Sequence, residues 1–470
     1  MNSKRKIIQL KIEAIGFEGI SIARSDGFVY FVKGGVPGDT VLAEIIRKKK
    51  TYYECRINEI LEPSPHRQQA PCIYFGVCGG CSWQNIDFPE QLKWKQRHIE
   101  DAFYRIGKIP NIEYKPILSL SEPWHYRNKM EFSFGASRWL TNAELLVDSD
   151  IAHKYFALGL HVSGRYDKVL DIEKCLIQPE GNDNILNTIR EQALRLDVSA
   201  YHEVKHIGFL RHLVIRRARA TDDCMVNLIT NKPVDDIEND FLKWFYNDFN
   251  PEVLGITSMH HAVNSKITPV AIGDIIFSKG QDYITEKILG LNYKISPFSF
   301  FQTNSQALDG FIGKILETAK INGSQTVWDL YCGTGSISLP AAVIAGKVIG
   351  IELSQSSVND ANNNKNINSI SNVDFICSDL HSREMPELLR NLERPDIIIL
   401  DPPRSGMTNN LIENLMEIAP PKIVYVSCNP VTQARDCALL SEKYDIISAQ
   451  PVDMFPQTYH LESIALLTRK

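Results

Sequence analysis

Apolar and polar positions alternate along the opening of the chain. Lys6-Ile7-Ile8-Gln9-Leu10-Lys11-Ile12 and Gly27-Phe28-Val29-Tyr30-Phe31-Val32-Lys33 follow the two-residue period of half-buried strands. Turn residues separate the runs at Gly16, Gly19, Asp26-Gly27 and Gly34 to Asp39. This pattern predicts five short strands forming an OB-like β-barrel over residues 1–62. Glu62-Pro63-Ser64-Pro65 has the composition of a linker. From Phe88 to Lys108 the period lengthens, and Leu92, Gln96, Ile99 and Phe103 fall on one face of a predicted helix. Strand-like runs return from Trp124 onward, at 204–207, 213–219, 225–229, 253–259 and 275–278, predicting a β-rich central domain over 63–290. Beyond Ile321, apolar strands alternate with helical segments: 326–330, 347–352, 373–379, 396–400 and 423–427. That alternation marks an α/β fold with a doubly wound, largely parallel sheet over 291–470.

At 470 residues the chain exceeds one ordinary core, in keeping with three domains. Its 44% hydrophobic and 23% charged residues are those of a globular protein, and no apolar run approaches the ~20 residues that span a bilayer. Met1 to Ile7 leads into the alternating pattern and not into the apolar core of a signal peptide, which points to the cytoplasm. The net charge of −5 excludes a uniformly basic coat. Residues 1–62 run the other way, with 11 Lys/Arg against 8 Asp/Glu. Within them Arg47-Lys48-Lys49-Lys50 stands beside Tyr52-Tyr53, cations next to aromatic rings, as nucleic-acid backbone and base contacts require. A solvated hairpin tip explains the charge run equally well. Arg211, Arg216, Arg217 and Arg219 form a second basic group, for which a charged sheet face paired with acids is as good a reading as nucleic-acid contact.

Ten cysteines in a chain of this length are not a disulfide scaffold. Cys72, Cys78 and Cys81 are bunched in a Cys-x5-Cys-x2-Cys pattern with glycines beside the thiols, and Cys175 is the candidate fourth ligand. Four thiolates suit a [4Fe–4S] cluster or zinc. A radical enzyme of the Cys-x3-Cys-x2-Cys type has a different spacing.

The last domain carries the remaining chemistry. A strand (Thr326 to Leu330), the turn Tyr331-Cys332-Gly333-Thr334-Gly335-Ser336, a helix, and a strand ending in Glu352 follow in the order that binds an adenosine cofactor. The glycines allow close approach of the ligand, and Glu352 can hold ribose hydroxyls. Position 338 is Ser, so the pyrophosphate fingerprint is incomplete, and adenosine without phosphates, as in S-adenosylmethionine, fits better than NAD. No lysine follows the turn as in a P-loop. Ile423 to Ser427 is a buried strand that ends in Ser427-Cys428-Asn429-Pro430, and ligands of open α/β sheets bind at such carboxyl ends. Glu462 opens another strand-like run. A thiol nucleophile and a carboxylate base together can alkylate an unreactive pyrimidine carbon.

Asp401-Pro402-Pro403-Arg404-Ser405-Gly406, Ser427-Cys428-Asn429-Pro430 and His460-Leu461-Glu462 together resemble the RNA uridine-5-methyltransferases. The stretch from Gly16 to Gly38-Asp39 resembles the TRAM domain of RNA-modifying enzymes. The closer resemblance is to the branch with a TRAM barrel and a four-cysteine iron–sulfur cluster, which methylates bacterial 23S ribosomal RNA. It implies a class I methyltransferase sheet at the C-terminus and S-adenosylmethionine as methyl donor. It also implies that Gln302, Tyr331, Glu352, Asp379 and Asp401 contact the donor, that Cys428 is the nucleophile and Glu462 the base, and that Cys72, Cys78, Cys81 and Cys175 hold a [4Fe–4S] cluster. RNA is the partner expected, with no obligatory protein partner. Two alternatives stand beside 23S RNA: the T-loop uridine of tRNA, and a non-catalytic iron–sulfur RNA-binding protein. The last leaves the donor-site acids and Glu462 without a role.

Overall fold

A computed structural model describes residues 6–147 and 153–470, so Met1 to Arg5 lie outside the described residues. The N-terminal strands Ile7–Ile15, Ser21–Ser25, Phe28–Lys33, Thr40–Lys48 and Tyr52–Glu62 close into a barrel, the fifth strand lying between the third and the fourth. Alternation supplies its core, Leu10, Ile12, Tyr30, Val32, Val41 and Cys55. Asp26-Gly27 joins two strands with both residues at positive φ (50° and 78°), the twist a two-residue hairpin needs. The Pro63–Pro65 connection is no loose tether. Ser64 is buried, its N–H donates to Asp39 Oδ1 at 2.9 Å, and its hydroxyl donates to the Pro37 carbonyl at 2.7 Å. Tyr53 stacks on Tyr30 at 4.9 Å and Tyr52 meets Phe31 edge-on at 5.0 Å, so both rings already have aromatic partners in the barrel.

The middle of the chain forms an eight-stranded sheet, ordered Asp274–Gly280, Ser258–Val263, Cys224–Thr230, Leu210–Arg217, Lys129–Gly135, Ala157–Val162, Arg165–Asp171 and Arg138–Trp139. Two of the expected strands differ. Residues 204–207 form an exposed turn, because Val204 and Ile207 have nothing to pack against. Of 253–259 only the part from Ser258 is extended, the rest being a turn closed by Gly255 at positive φ. The second basic group is mostly internal. Arg211 and Arg216 are buried, and Arg211 donates to the carbonyls of Lys266 (2.9 Å) and Thr268 (2.6 Å). Arg216 donates to the Ser299 carbonyl at 3.1 Å. With the Asn264 carbonyl, which Arg211 also reaches, four fixed carbonyls here take the place of a nucleic-acid phosphate.

The C-terminal sheet is ordered Val373–Cys377, Lys347–Glu352, Thr326–Leu330, Ile397–Leu400, Lys422–Ser427, Glu462–Arg469, Tyr444–Asp453, the last strand also pairing with the short strands Glu113–Tyr114 and Leu118–Ser119. The first five strands are parallel, and Glu462–Arg469 runs antiparallel to both neighbours. Strand order reverses at Thr326–Leu330 beside Ile397–Leu400, the switch point where such sheets bind ligands. The helix Phe88–Ala102, continued by a wider turn to Gly107, packs on this sheet. Ile99, Ala102 and Phe103 share a core with Trp328, Ile398 and Tyr425. Its buried residues are Glu90, Gln91, Trp94, Lys95, His98, Ile99 and Ala102; of the face expected from apolar spacing, Ile99 and Phe103 are buried, while Leu92 and Gln96 are only half-buried. Polar side chains took the inner positions because they have buried partners. No helix among the described residues is long and apolar enough to cross a membrane.

Candidate active site

A cavity of about 860 Å³ opens at the carboxyl ends of the C-terminal strands. Its walls bring together Gln302, Tyr331, Glu352, Asp401, Cys428 and Glu462. Asp379 is not among the lining residues; its Oδ1 accepts the His381 N–H at 2.8 Å, and its charge reaches the cavity through Tyr331.

One half is built by the glycine turn. Gly333 and Gly335 take φ of +55° and +81°, and a Cβ at Gly335 would meet Phe375 at 3.0 Å. Tyr331, a non-glycine residue, is also left-handed at +66°, held by its N–H to the Ile351 carbonyl at 2.9 Å. The Glu352 carboxylate is clamped across the turn, accepting the N–H of Gly333 at 3.1 Å and of Ser354 at 2.9 Å. Beneath it lies Asp329, fully buried, whose Oδ2 accepts the Ser338 hydroxyl. Burial, reinforced by Asp401 and Glu352, pushes the Asp329 carboxyl up to about 7. Burial first, then Asp379, raises the Tyr331 phenol. The helix Ser305–Ala319 after Gln302 is capped by Asn304 Oδ1, which accepts the Ala307 N–H at 3.2 Å.

The other half holds Cys428 and Glu462. Ser427 pairs with Ser463 in antiparallel register, so the end of one strand and the start of the next place these residues side by side. Cys428 precedes Asn429, which caps the helix Pro430–Leu440 by accepting the Val431 N–H at 3.0 Å. Asn429 Nδ2 and Thr432 Oγ1 donate to the Arg404 carbonyl at 3.0 and 3.2 Å, pinning the Pro402–Arg404 loop to the helix start. Burial pushes the Cys428 thiol up to about 11, with Glu462 and Asp401 adding to the rise, while Arg404 opposes it by charge and hydrogen bond. Burial raises the Glu462 carboxyl well above its usual range, Asp401 adds to this, and Arg404 opposes it. Asp401 is likewise pushed up, to about 7, by burial. Arg404 and His460 are the residues to which sequence reasoning gave no role, although both stood in quoted motifs. Arg404 Nη2 lies 2.9 Å from His460 Nδ1.

The segment from Met454 to Leu461, which leads into Glu462, is fastened to the N-terminal part of the chain. The Ser82 and Trp83 N–H groups both donate to the Gln457 carbonyl at 3.0 Å, and the Tyr459 N–H donates to Ser82 Oγ at 3.2 Å. Lys95 Nζ donates to Asp453 Oδ1 at 2.6 Å and to the Phe455 carbonyl at 3.0 Å.

Cys72, Cys78, Cys81 and Cys175 line a second cavity, of about 460 Å³. Arg127, Thr303, Phe455 and His460 line both cavities, so the two share a wall. The Gly80 N–H donates to Cys78 Sγ at 3.3 Å, backbone N–H groups of Ile177 and Gln178 reach Cys175, and the Gln84 side chain reaches Cys81. Burial pushes Cys78 up to about 11 and Cys81 to about 12, and the neighbouring thiols add to it. Among the described residues no group of three or more His, Cys, Asp or Glu side chains is placed to hold a metal ion.

Residues 214–470 match the family model described as tRNA (Uracil-5-)-methyltransferase, and residues 3–57 match that of the TRAM domain. A protein of Bacteroides thetaiotaomicron named as an uncharacterized RNA methyltransferase is 41% identical over 455 residues, 96% of this chain and 99% of that protein. Another so named, from Chlorobaculum tepidum, is 38% identical over 92% of this chain and 90% of its own length. Among solved structures, the Pyrococcus abyssi tRNA (uracil-54, C5)-methyltransferase in complex with S-adenosyl-L-homocysteine superposes with a TM-score of 0.75 and 24% identity. The match covers 98% of this chain and all of that one, and shows a shared fold.

Proposed function

Because the chain belongs to the tRNA (uracil-5-)-methyltransferase family, we propose that it transfers a methyl group from S-adenosylmethionine to C5 of a uridine in 23S ribosomal RNA through a covalent Cys428 adduct. The observation that carries the mechanism is the antiparallel register that sets Cys428 beside Glu462 in one cavity with the glycine turn and Glu352. The Cys428 thiolate forms a bond from its sulfur to C6, and the C5–C6 π electrons move to C5. S-adenosylmethionine, when bound, supplies the methyl group to C5 and leaves as S-adenosylhomocysteine. The Glu462 carboxylate takes the C5 proton, the C5–C6 double bond re-forms, and the sulfur departs as thiolate. Stacking hides C6, so the target base must be flipped out or lie in a loop. Gln302, Tyr331, Glu352, Asp379 and Asp401 are assigned to the donor; all but Asp379 line the cavity.

The test uses RNA carrying 5-fluorouridine, whose C5 substituent cannot leave as a proton. Wild-type protein should give a denaturation-resistant RNA–protein band, and Glu462→Gln should accumulate one with unmodified RNA. Cys428→Ala should give neither band nor methylation. Methylation by Cys428→Ala would overturn the covalent route.

The resemblance to the four-cysteine branch supports 23S RNA. A tRNA T-loop uridine is a second reading, favoured by the match of residues 214–470 to the model described as tRNA (Uracil-5-)-methyltransferase. Mapping methylated uridines in ribosomal and transfer RNA of cells with and without the protein decides between them.

The thiol cavity fits a [4Fe–4S] cluster held by Cys72, Cys78, Cys81 and Cys175. The reading rests on the four thiols lining one cavity and on the N–H donor that reaches Cys78 Sγ. A cluster there would draw the thiols into thiolate form and brace the wall shared with the active site. Anaerobic purification should yield brown protein with four irons and four sulfides per chain. Colourless protein with stoichiometric zinc would overturn the cluster.

A further inference from the structure

We propose that Arg404 is the group that makes the Cys428 thiolate available, and that His460 is the positioning residue that aims its guanidinium. This rests on the assignment of Cys428 as nucleophile. The chemistry poses a specific difficulty. The thiolate is the nucleophilic form, yet Cys428 faces Glu462 and Asp401, both acids, in a half-buried site. No histidine stands next to it in the chain to act as a base. Two features favour the anion. One is the start of the helix Pro430–Leu440, immediately after the Asn429 cap. The other is Arg404, a cation that lines the same cavity as Cys428 and Glu462.

Arg404 is not a casually placed surface cation. Its carbonyl is bound by Asn429 and Thr432, the residues that follow the nucleophile, so its backbone moves with the Cys428 turn. Its guanidinium contacts His460 Nδ1 at 2.9 Å. The imidazole must be neutral to accept there. Burial, together with Arg404, Lys95 and Arg127, pushes it down to about 4, so it is neutral across the working range. His460 is itself placed by its N–H to Thr458 Oγ1 at 3.2 Å and by the Tyr459 ring at 4.1 Å. A neutral histidine thus takes no proton from the thiol and serves as an acceptor that holds a cation. The thiol proton passes to water, and the sulfur lone pair then forms the bond to C6.

The experiment measures iodoacetamide alkylation of Cys428 against pH in the full-length protein, read on the peptide carrying that residue because other cysteines also react. Arg404→Gln should move the half-maximal pH upward by about one unit, a roughly tenfold slower reaction near neutral pH. Arg404→Lys should lie between it and wild type. His460→Phe should shift the profile in the same direction, and His460→Asn, whose amide oxygen can replace Nδ1 as acceptor, should restore it. Arg404 is exposed, so its variants should leave the melting temperature unchanged. A Cys428 profile in Arg404→Gln that overlays wild type overturns the activating role. A shift in His460→Asn equal to that in His460→Phe overturns the positioning role. Methylation is assayed in parallel. If Cys428→Ala still methylates, the nucleophile assignment fails. If it is inactive while the alkylation profile of Arg404→Gln is unmoved, only the present inference falls.

Discussion

Gln91 and Gln457, 366 positions apart in the chain, bind each other twice. Gln91 Nε2 donates to Gln457 Oε1 at 3.1 Å, and the Gln457 backbone N–H donates to Gln91 Oε1, also at 3.1 Å. Gln457 is buried and sits at φ +66°, a conformation that costs a non-glycine residue about 1 kcal/mol or more and persists only when its surroundings enforce it. The pair therefore holds the segment that delivers His460 and Glu462. Gln91→Leu should leave the Gln457 N–H buried and unpaired, lowering stability by about 1–3 kcal/mol and reducing methylation. Chemical denaturation and a methyl-transfer assay check this; an unchanged midpoint would show that the pair does not fasten the segment.

Lys95 and Asp453 form an ion pair with both side chains fully shielded from solvent. Burial lowers the Lys95 pKa and the Asp453 charge opposes that. Removing one partner strands the other charge in a poorly solvating interior. Lys95→Met should cost about 3–5 kcal/mol, and Lys95→Met combined with Asp453→Asn should recover a large part of the loss. A double variant no more stable than the single one would locate the defect in packing. Thermal unfolding of the three proteins gives the comparison.

Asp329 ties stability to pH. Its carboxyl is pushed up to about 7 by burial, above its unfolded value near 3.9. Between those values the folded state binds more protons than the unfolded one, so its contribution is full below about pH 4 and is lost as pH rises to about 7. Asp329→Asn should flatten stability across that window and be the more stable protein at pH 8. Denaturant midpoints from pH 5 to 8 that fall in parallel for both proteins would show that Asp329 is not the group responsible.

Glu352 reaches across the glycine turn with its carboxylate already oriented by two N–H groups. Glu352→Ala should weaken S-adenosylmethionine binding by roughly 1.5–3 kcal/mol, the range for a hydrogen bond to a charged group, or about ten- to a hundredfold. Calorimetry measures it directly, and an unaltered affinity would place the donor elsewhere.

The chemistry was legible in the sequence where it is local. Cys428, Glu352 and Asp401 stand at the ends of apolar strand runs, and in a parallel sheet those ends share one edge, so the strand pattern alone brings them near one ligand. The barrel was legible for a similar reason: alternation and the Asp26-Gly27 turn encode pairing between neighbours in the chain. The helix Phe88–Ala102 was legible as a helix, but its orientation only in part: Ile99 and Phe103 of the expected face are buried. Apolar spacing favoured Leu92 and Gln96, while the tertiary structure buried Gln91, Lys95 and His98. Their partners Gln457, Asp453 and the Ile15 carbonyl arrive from distant parts of the chain. The run 204–207 has strand composition, yet no neighbouring strand pairs along it, and composition cannot supply one. The same reason governs Arg404 and Arg211. A charged side chain at the surface and one turned onto buried carbonyls look alike in sequence, because the acceptors that distinguish them are separated along the chain and meet only when it folds.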